Sequence, residues 1–182
     1  EYAWLTGDVR AEDRATQYGH RAAIVLFTGS AQTGKTFLAR RVEALLVADS
    51  RHAYLLEGEN LLQGLDADLS AADPSFAAER VRRYGEVARL LIDTGLIVVS
   101  TSKTFGINYQ RMAEMIRTLV QPAPVIAVHM SRAGEEPPPN TDLHFAGPQD
   151  FDAAARQILE ELKRRGVLIQ PSGTKSTIQY SI

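Results

Sequence analysis

The chain has no cysteine among its 182 residues, which excludes disulfide staples, thiolate catalysis and cysteine-based metal sites. It has one tryptophan, Trp4, in a polar N-terminal stretch, where it is expected to anchor the arm that carries it. There is also little excess of one sign of charge. A formal net charge of -2 gives no general field for nucleic acid or an anionic membrane, so neither is an expected partner and any anionic ligand must be held locally. No apolar run reaches the length that spans a bilayer, and the first residues lack the basic and apolar regions of a signal peptide. These absences read as a cytoplasmic chain. Because it begins at Glu1 and not at Met, it is also compatible with a piece of a longer polypeptide.

A composition of 45% hydrophobic and 23% charged residues suits one soluble α/β domain, and the length is too short for two ordinary ones. The chain divides into an arm over 1–20, a domain over 21–168 and a polar tail over 169–182. Short apolar runs at 22–27, 53–56, 96–99 and 124–128 predict strands. Apolar residues at helical spacing predict helices over 36–46, from about Pro74 to Gly95, over 107–120 and over 151–165, with a short charged helix at 10–16. The segment 133–148 reads as turns. This alternation predicts a doubly wound, mostly parallel sheet with helices on both faces, the P-loop NTPase architecture once its glycine-rich loop is considered.

That loop is Gly29-Ser30-Ala31-Gln32-Thr33-Gly34-Lys35-Thr36, which satisfies G-x-x-x-x-G-K-[ST]. It follows an apolar strand and opens an amphipathic helix, the context such a phosphate cradle needs. The glycines let successive N–H groups point at phosphate oxygens, and the helix N-terminus adds a favourable dipole. Lys35 is expected to reach the β- and γ-phosphates of ATP, and the Thr36 hydroxyl to ligate Mg²⁺.

Glu57 and Glu59 fall at the carboxyl end of the second strand, where doubly wound folds place ligands. Either can order a Mg²⁺-bound water, making Glu57 a second candidate metal residue, or accept the proton of an attacking hydroxyl. Acidic residues also favour a helix start, so both readings stand. Arg80, Arg82 and Arg83 are candidates for a second anionic substrate, set against an ordinary solvated helix face. Lys103, just beyond the third strand, is better placed for phosphate. His129 ends a strand and reads as a packed, hydrogen-bonded histidine. The scattered histidines suggest no metal site beyond nucleotide-bound Mg²⁺.

Several blocks in order resemble adenylylsulfate kinase: Val25-Leu26-Phe27-Thr28-Gly29 entering the loop, Leu56-Glu57-Gly58-Glu59-Asn60, Arg82-Arg83-Tyr84-Gly85-Glu86-Val87, Gly95-Leu96-Ile97-Val98-Val99, and the final helix through Leu162. The resemblance implies transfer of the γ-phosphoryl of ATP to the 3′-hydroxyl of adenosine 5′-phosphosulfate, in sulfate assimilation, with Mg²⁺. It implies Lys35, Glu57 and Glu59 as catalytic residues, Asn60, Arg80, Arg83 and Lys103 on the acceptor side, and a homodimer as the usual assembly.

The departures lie where the acceptor is read. The family's Asp-Gly-Asp-Asn is Glu57-Gly58-Glu59-Asn60 here, and the arginine expected two residues on is Leu62. The expected Gly-Phe falls near Ser70-Ala71, and Phe-Ile-Ser-Pro-Tyr-Arg is replaced by Lys103-Thr104-Phe105-Gly106-Ile107-Asn108. The lysine-rich lid has no counterpart; Met130-Ser131-Arg132-Ala133-Gly134 leads into Glu135-Glu136-Pro137. Each lost charged contact removes roughly 1.5–3 kcal/mol. Two readings follow: a kinase of this type, or a weak or inactive nucleotide-binding domain that regulates or assembles a fused or associated ATP sulfurylase.

Overall fold

In the computed structural model the described residues are 4–5, 7–101, 109–147 and 150–169; Lys103 and the tail from 170 onward lie outside them. Strand β1, Ala23–Gly29, is buried along its whole length. Its residues divide by parity. Ala23, Val25 and Phe27 pack under helices α2 (Lys35–Ala48) and α5 (Phe151–Arg164), whereas Ile24 and Leu26 pack under α3 (Phe76–Asp93) and α4 (Tyr109–Val120). A strand covered on both faces reads as a near-continuous apolar run, here Ala23 to Phe27, and the buried Thr28 after it is hydrogen-bonded to His129. Burying each large side chain contributes about 1.5–3 kcal/mol.

The sheet has the order β2-β3-β1-β4-β5, with β2 at Ala53–Glu57, β3 at Ile97–Thr101, β4 at Val125–Ser131 and β5 at Leu143–Ala146. All four pairings are parallel. Two successive strands lie to one side of β1 and two to the other, so the order reverses at β1. The crevice at the carboxyl end of β1 is therefore the topological switch point. The doubly wound fold expected from the sequence is the fold observed.

Two local expectations are corrected. The segment 133–148 is not turns throughout, because Leu143–Ala146 adds β5 to the open edge of β4. Strand β2 is an edge strand, with Tyr54 exposed, Ala53 and Leu55 packed toward the α2 and α5 side, and Leu56 buried on the other side. Helix α3 begins at Phe76, two residues after Pro74. The 10–16 helix is observed as α1, Ala11–Tyr18.

Helix α1 ends on Gly19, in the left-handed region at φ 69°, and the chain there is sewn to the far end of the domain. Ile169 N–H donates to Gly19 O at 3.0 Å and Arg21 N–H to Val167 O at 2.8 Å. His20 is buried and accepts His52 N–H on Nε2 at 3.0 Å. Burial lowers its pKa, and the nearby His52 and Arg51 charges lower it further, against a backbone hydrogen bond that raises it.

Candidate nucleotide-binding site

The loop from Gly29 to Gly34 leaves β1 at the switch point. Gly29 has φ 125°, and a Cβ there would sit 1.8 Å from Met130 O, so β4 passes too close for any side chain. Gly34, the N-cap of α2, has φ 87°, and its Cβ would meet the Phe151 ring at 2.6 Å. Gln32 is also left-handed, at φ 63°. Such alternation of backbone hand turns successive N–H groups into one concavity, the geometry that binds anions.

Polar contacts fix the loop. Ser30 N–H donates to Met130 O at 3.0 Å, the Thr33 hydroxyl to Ser30 O at 2.9 Å, and the Tyr109 phenol to Gly29 O at 2.7 Å. Lys35 Nζ donates to Gly29 O at 2.9 Å and to Ser30 O, which holds the ammonium over the cradle. Desolvation lowers the Lys35 pKa, partly offset by the Glu59 carboxylate. Glu59 is thus within electrostatic reach of the P-loop lysine.

Glu57 is the last residue of β2, and Gly58–Gln63 follow as a 3-10 helix that carries Glu59 and the exposed Asn60. These acids lie at a strand's carboxyl end and also at a helix start. Thr101 Oγ1 donates to Glu57 Oε2 at 2.8 Å, and Arg40 Nη2 lies 3.7 Å from Oε1. Glu57 Oε1 is buried with no hydrogen-bond partner among the described residues. Below, Tyr84 is buried, and its phenol donates to Leu56 O at 2.9 Å while sharing a 2.5 Å contact with Ser100 Oγ. Burial raises the Tyr84 pKa; the Ser100 hydrogen bond opposes this, and the Glu59 and Glu57 charges add to it.

The arginines sit elsewhere. Arg80 is buried in an ion pair with buried Asp66, Nε to Oδ2 at 3.3 Å. Arg83 grips Asp68 with two nitrogens, at 2.5 and 2.9 Å, and also bonds Glu79. Arg82 is an exposed partner of Glu79. Arg80 is therefore no solvated-face residue, and Arg80 and Arg83 together fasten the segment after the 3-10 helix onto α3.

His129 is packed and hydrogen-bonded as expected, its Nδ1 2.9 Å from Thr28 Oγ1. Desolvation lowers its pKa, as do His144 and Lys35, with Glu135 acting the other way. The sequence reading missed Thr101, Tyr109, the Tyr84 phenol and Glu135. Glu135 accepts from the Ser30 hydroxyl at 2.6 Å and from Arg132 N–H at 3.0 Å. The Ser30 hydrogen bond, then the Arg132 one, holds the Glu135 carboxyl below its ordinary pKa.

A parallel sheet with this loop at its switch point defines a P-loop NTPase fold of the kinase type. The phosphate cradle between β1 and α2 is the feature that sets the class. The chain belongs to the adenylylsulphate kinase family, whose profile matches residues 21–137. It is 29% identical over 194 residues to an adenylyl-sulfate kinase of Yersinia pestis, covering 91% of this chain and 89% of that one. To the adenylyl-sulfate kinase of Shewanella amazonensis it is 38% identical over 128 residues, 70% of this chain and 63% of the relative. The structure of a cysteine-to-alanine variant of the Mycobacterium tuberculosis APS kinase superposes with a TM-score of 0.68 at 29% identity, covering 79% of this chain and 99% of that one.

Proposed function

We propose that this domain transfers the γ-phosphoryl group of ATP to the 3′-hydroxyl of adenosine 5′-phosphosulfate. The observation that carries the reading is the P-loop with Lys35 at the switch point of the sheet, with Glu57 and Glu59 following β2 at the same carboxyl end of the sheet, in a member of this family. The loop N–H groups and Lys35 hold the triphosphate and neutralise charge on the transferring group. Thr36, the second residue of α2, and Glu57 are the residues that would hold Mg²⁺. The buried Oε1 of Glu57, which accepts no hydrogen bond among the described residues, suits a metal-bound water, and a set of few protein ligands suits an ion held mainly by phosphates. When bound, Mg²⁺ supplies charge neutralisation at the phosphates.

Glu59 takes the proton of the acceptor hydroxyl as its oxygen bonds the γ-phosphorus and the bond to ADP breaks. Asn60 and Lys103 contact the acceptor. Arg80 and Arg83 serve it by holding the segment beside the 3-10 helix. The test is turnover of ATP with adenosine phosphosulfate, followed by the phosphorylated product and ADP, in the intact chain and in Lys35→Ala. Stoichiometric product that disappears in the variant supports the reading; unchanged ATP affinity in Lys35→Ala overturns the P-loop assignment.

One observation favours a second reading. All three arginines considered for a second anionic substrate are engaged by carboxylates, and the β4–β5 connection presents Glu135 and Glu136 where the family's basic lid is expected. Binding of an ATP analogue without measurable binding of adenosine phosphosulfate would mark a nucleotide-binding domain that does not phosphorylate this acceptor.

A further inference from the structure

At the opposite end of the sheet from the P-loop, a cavity of about 780 Å³ opens beneath the amino ends of β1, β3 and β4, reaching Ala22, Gly95 and Pro124. Five arginines line it, Arg10, Arg14, Arg21, Arg89 and Arg165, against two carboxylates, Glu12 and Asp93. In a chain whose formal net charge is -2, this is a local gathering of positive charge. Arg165 is tied to Glu161 and Asp142, and Arg89 lies over the Trp4 ring at 4.0 Å. Arg10, Arg14 and Arg21 form no ion pair among the described residues. Arg10 and Arg14 are one helical turn apart at the start of α1, so both reach the same side. The floor is apolar, with Val9, Ile92, Val120, Pro122 and Val167.

We infer that this cavity is a second ligand site, distinct from the P-loop, for a small organic polyanion carrying phosphate or sulfate groups. Guanidinium groups present paired N–H donors that match the oxygens of such groups. The volume falls in the range of small-molecule sites, about 300–1,000 Å³, and exceeds what an inorganic anion fills. The apolar floor accommodates the organic body while the arginine rim takes the charge. A concave pocket on a molecule without a general positive field favours a small ligand over an extended polyanion, which needs a basic track. The site is separated from the phosphate cradle by the length of β1, roughly 20 Å for its seven residues. It is therefore an independent place for an effector and not part of the catalytic crevice.

The chain carries its own reporter, because Trp4 is its single tryptophan and lines this cavity. The experiment titrates ADP, without Mg²⁺, into the full chain carrying Lys35→Ala, and reads tryptophan emission alongside isothermal titration. The site predicts a saturable emission change whose Kd rises about tenfold in Arg14→Ala and further in Arg14→Ala with Arg21→Ala. Far-ultraviolet circular dichroism must show those variants folded. Sulfate must bind far more weakly than ADP. No saturable response to ADP, or an affinity indifferent to both arginine substitutions, overturns the site. Equal affinities for sulfate and ADP would mean an adventitious ion only. Tight heparin binding without an ADP response would instead identify a surface for a macromolecular polyanion, and also overturns it.

Discussion

Glu59→Gln keeps the size of the side chain and removes its ability to take a proton. If Glu59 is the general base, kcat falls about 10²–10⁴-fold with little change in the KM for ATP, measured by ADP release. Glu57→Gln keeps an oxygen for Thr101 but weakens the metal side, and its defect is expected to shrink as Mg²⁺ is raised. Equal activity of both variants and the parent would remove the carboxylates from the chemistry. Gly29→Ala forces a side chain into the Met130 carbonyl at φ 125°; strain alone costs about 1–3 kcal/mol, read as a lowered Tm together with lost ATP binding. At this scale the loop was legible because glycine and lysine spell out a backbone shape and a charge within eight neighbouring residues. The support of Glu57 by Thr101 was not legible, because the two are 44 residues apart and meet only after β2 and β3 pair.

Elements built on period and punctuation could be read in advance. Helix α5 shows this: its apolar spacing set its span, and Gly166 takes the left-handed φ of 69° that ends it, whereas the cap at its start, Asp150 accepting from Asp152 and Ala153 N–H at 3.0 and 3.1 Å, was found only in the structure. Asp150→Ala is expected to cost about 1 kcal/mol, measurable as a shifted urea midpoint at constant slope. Strand β5 was not readable, since Leu143-His144-Phe145-Ala146 is four residues long with His144 bonded to Ser131. So short an edge strand is identified by its neighbour and not by its own pattern. Between elements, the Tyr84 phenol ties α3 to the carbonyls of Leu56 and Thr101, the backbones on either side of Glu57. Tyr84→Phe leaves those buried acceptors short of a donor and is expected to cost about 1–3 kcal/mol. It also loosens Glu57, so kcat drops more than the KM for ATP rises; an unchanged kcat would confine Tyr84 to packing.

For the whole molecule, burial is the main cause that lowers the pKa of both His20 and His129. Each is held neutral in the fold more readily than in the unfolded chain, whose histidines titrate near the ordinary value of about 6.5. The unfolded state then binds more protons just below that pH, so stability is full above it and is lost as pH falls toward the depressed values. Urea unfolding at pH 7.5 and 5.5 should show the lower stability at 5.5, with the difference reduced in His129→Gln. The layered architecture was legible because alternating strands and helices admit few packings. The sewing of Gly19 to Ile169 was not, because backbone hydrogen bonds carry no residue signature. The central position of β1 has a further consequence for biosynthesis. It is the first of the five described strands in chain order, yet its flanks are closed only by β3 and β4. Its partners lie 74 residues on for Ala23 with Ile97, and 101 residues on for Ile24 with Val125. Until those residues leave the ribosome, a largely apolar strand has nothing native to pair with, so nascent chains that stall before β4 should be strong chaperone clients and prone to aggregate.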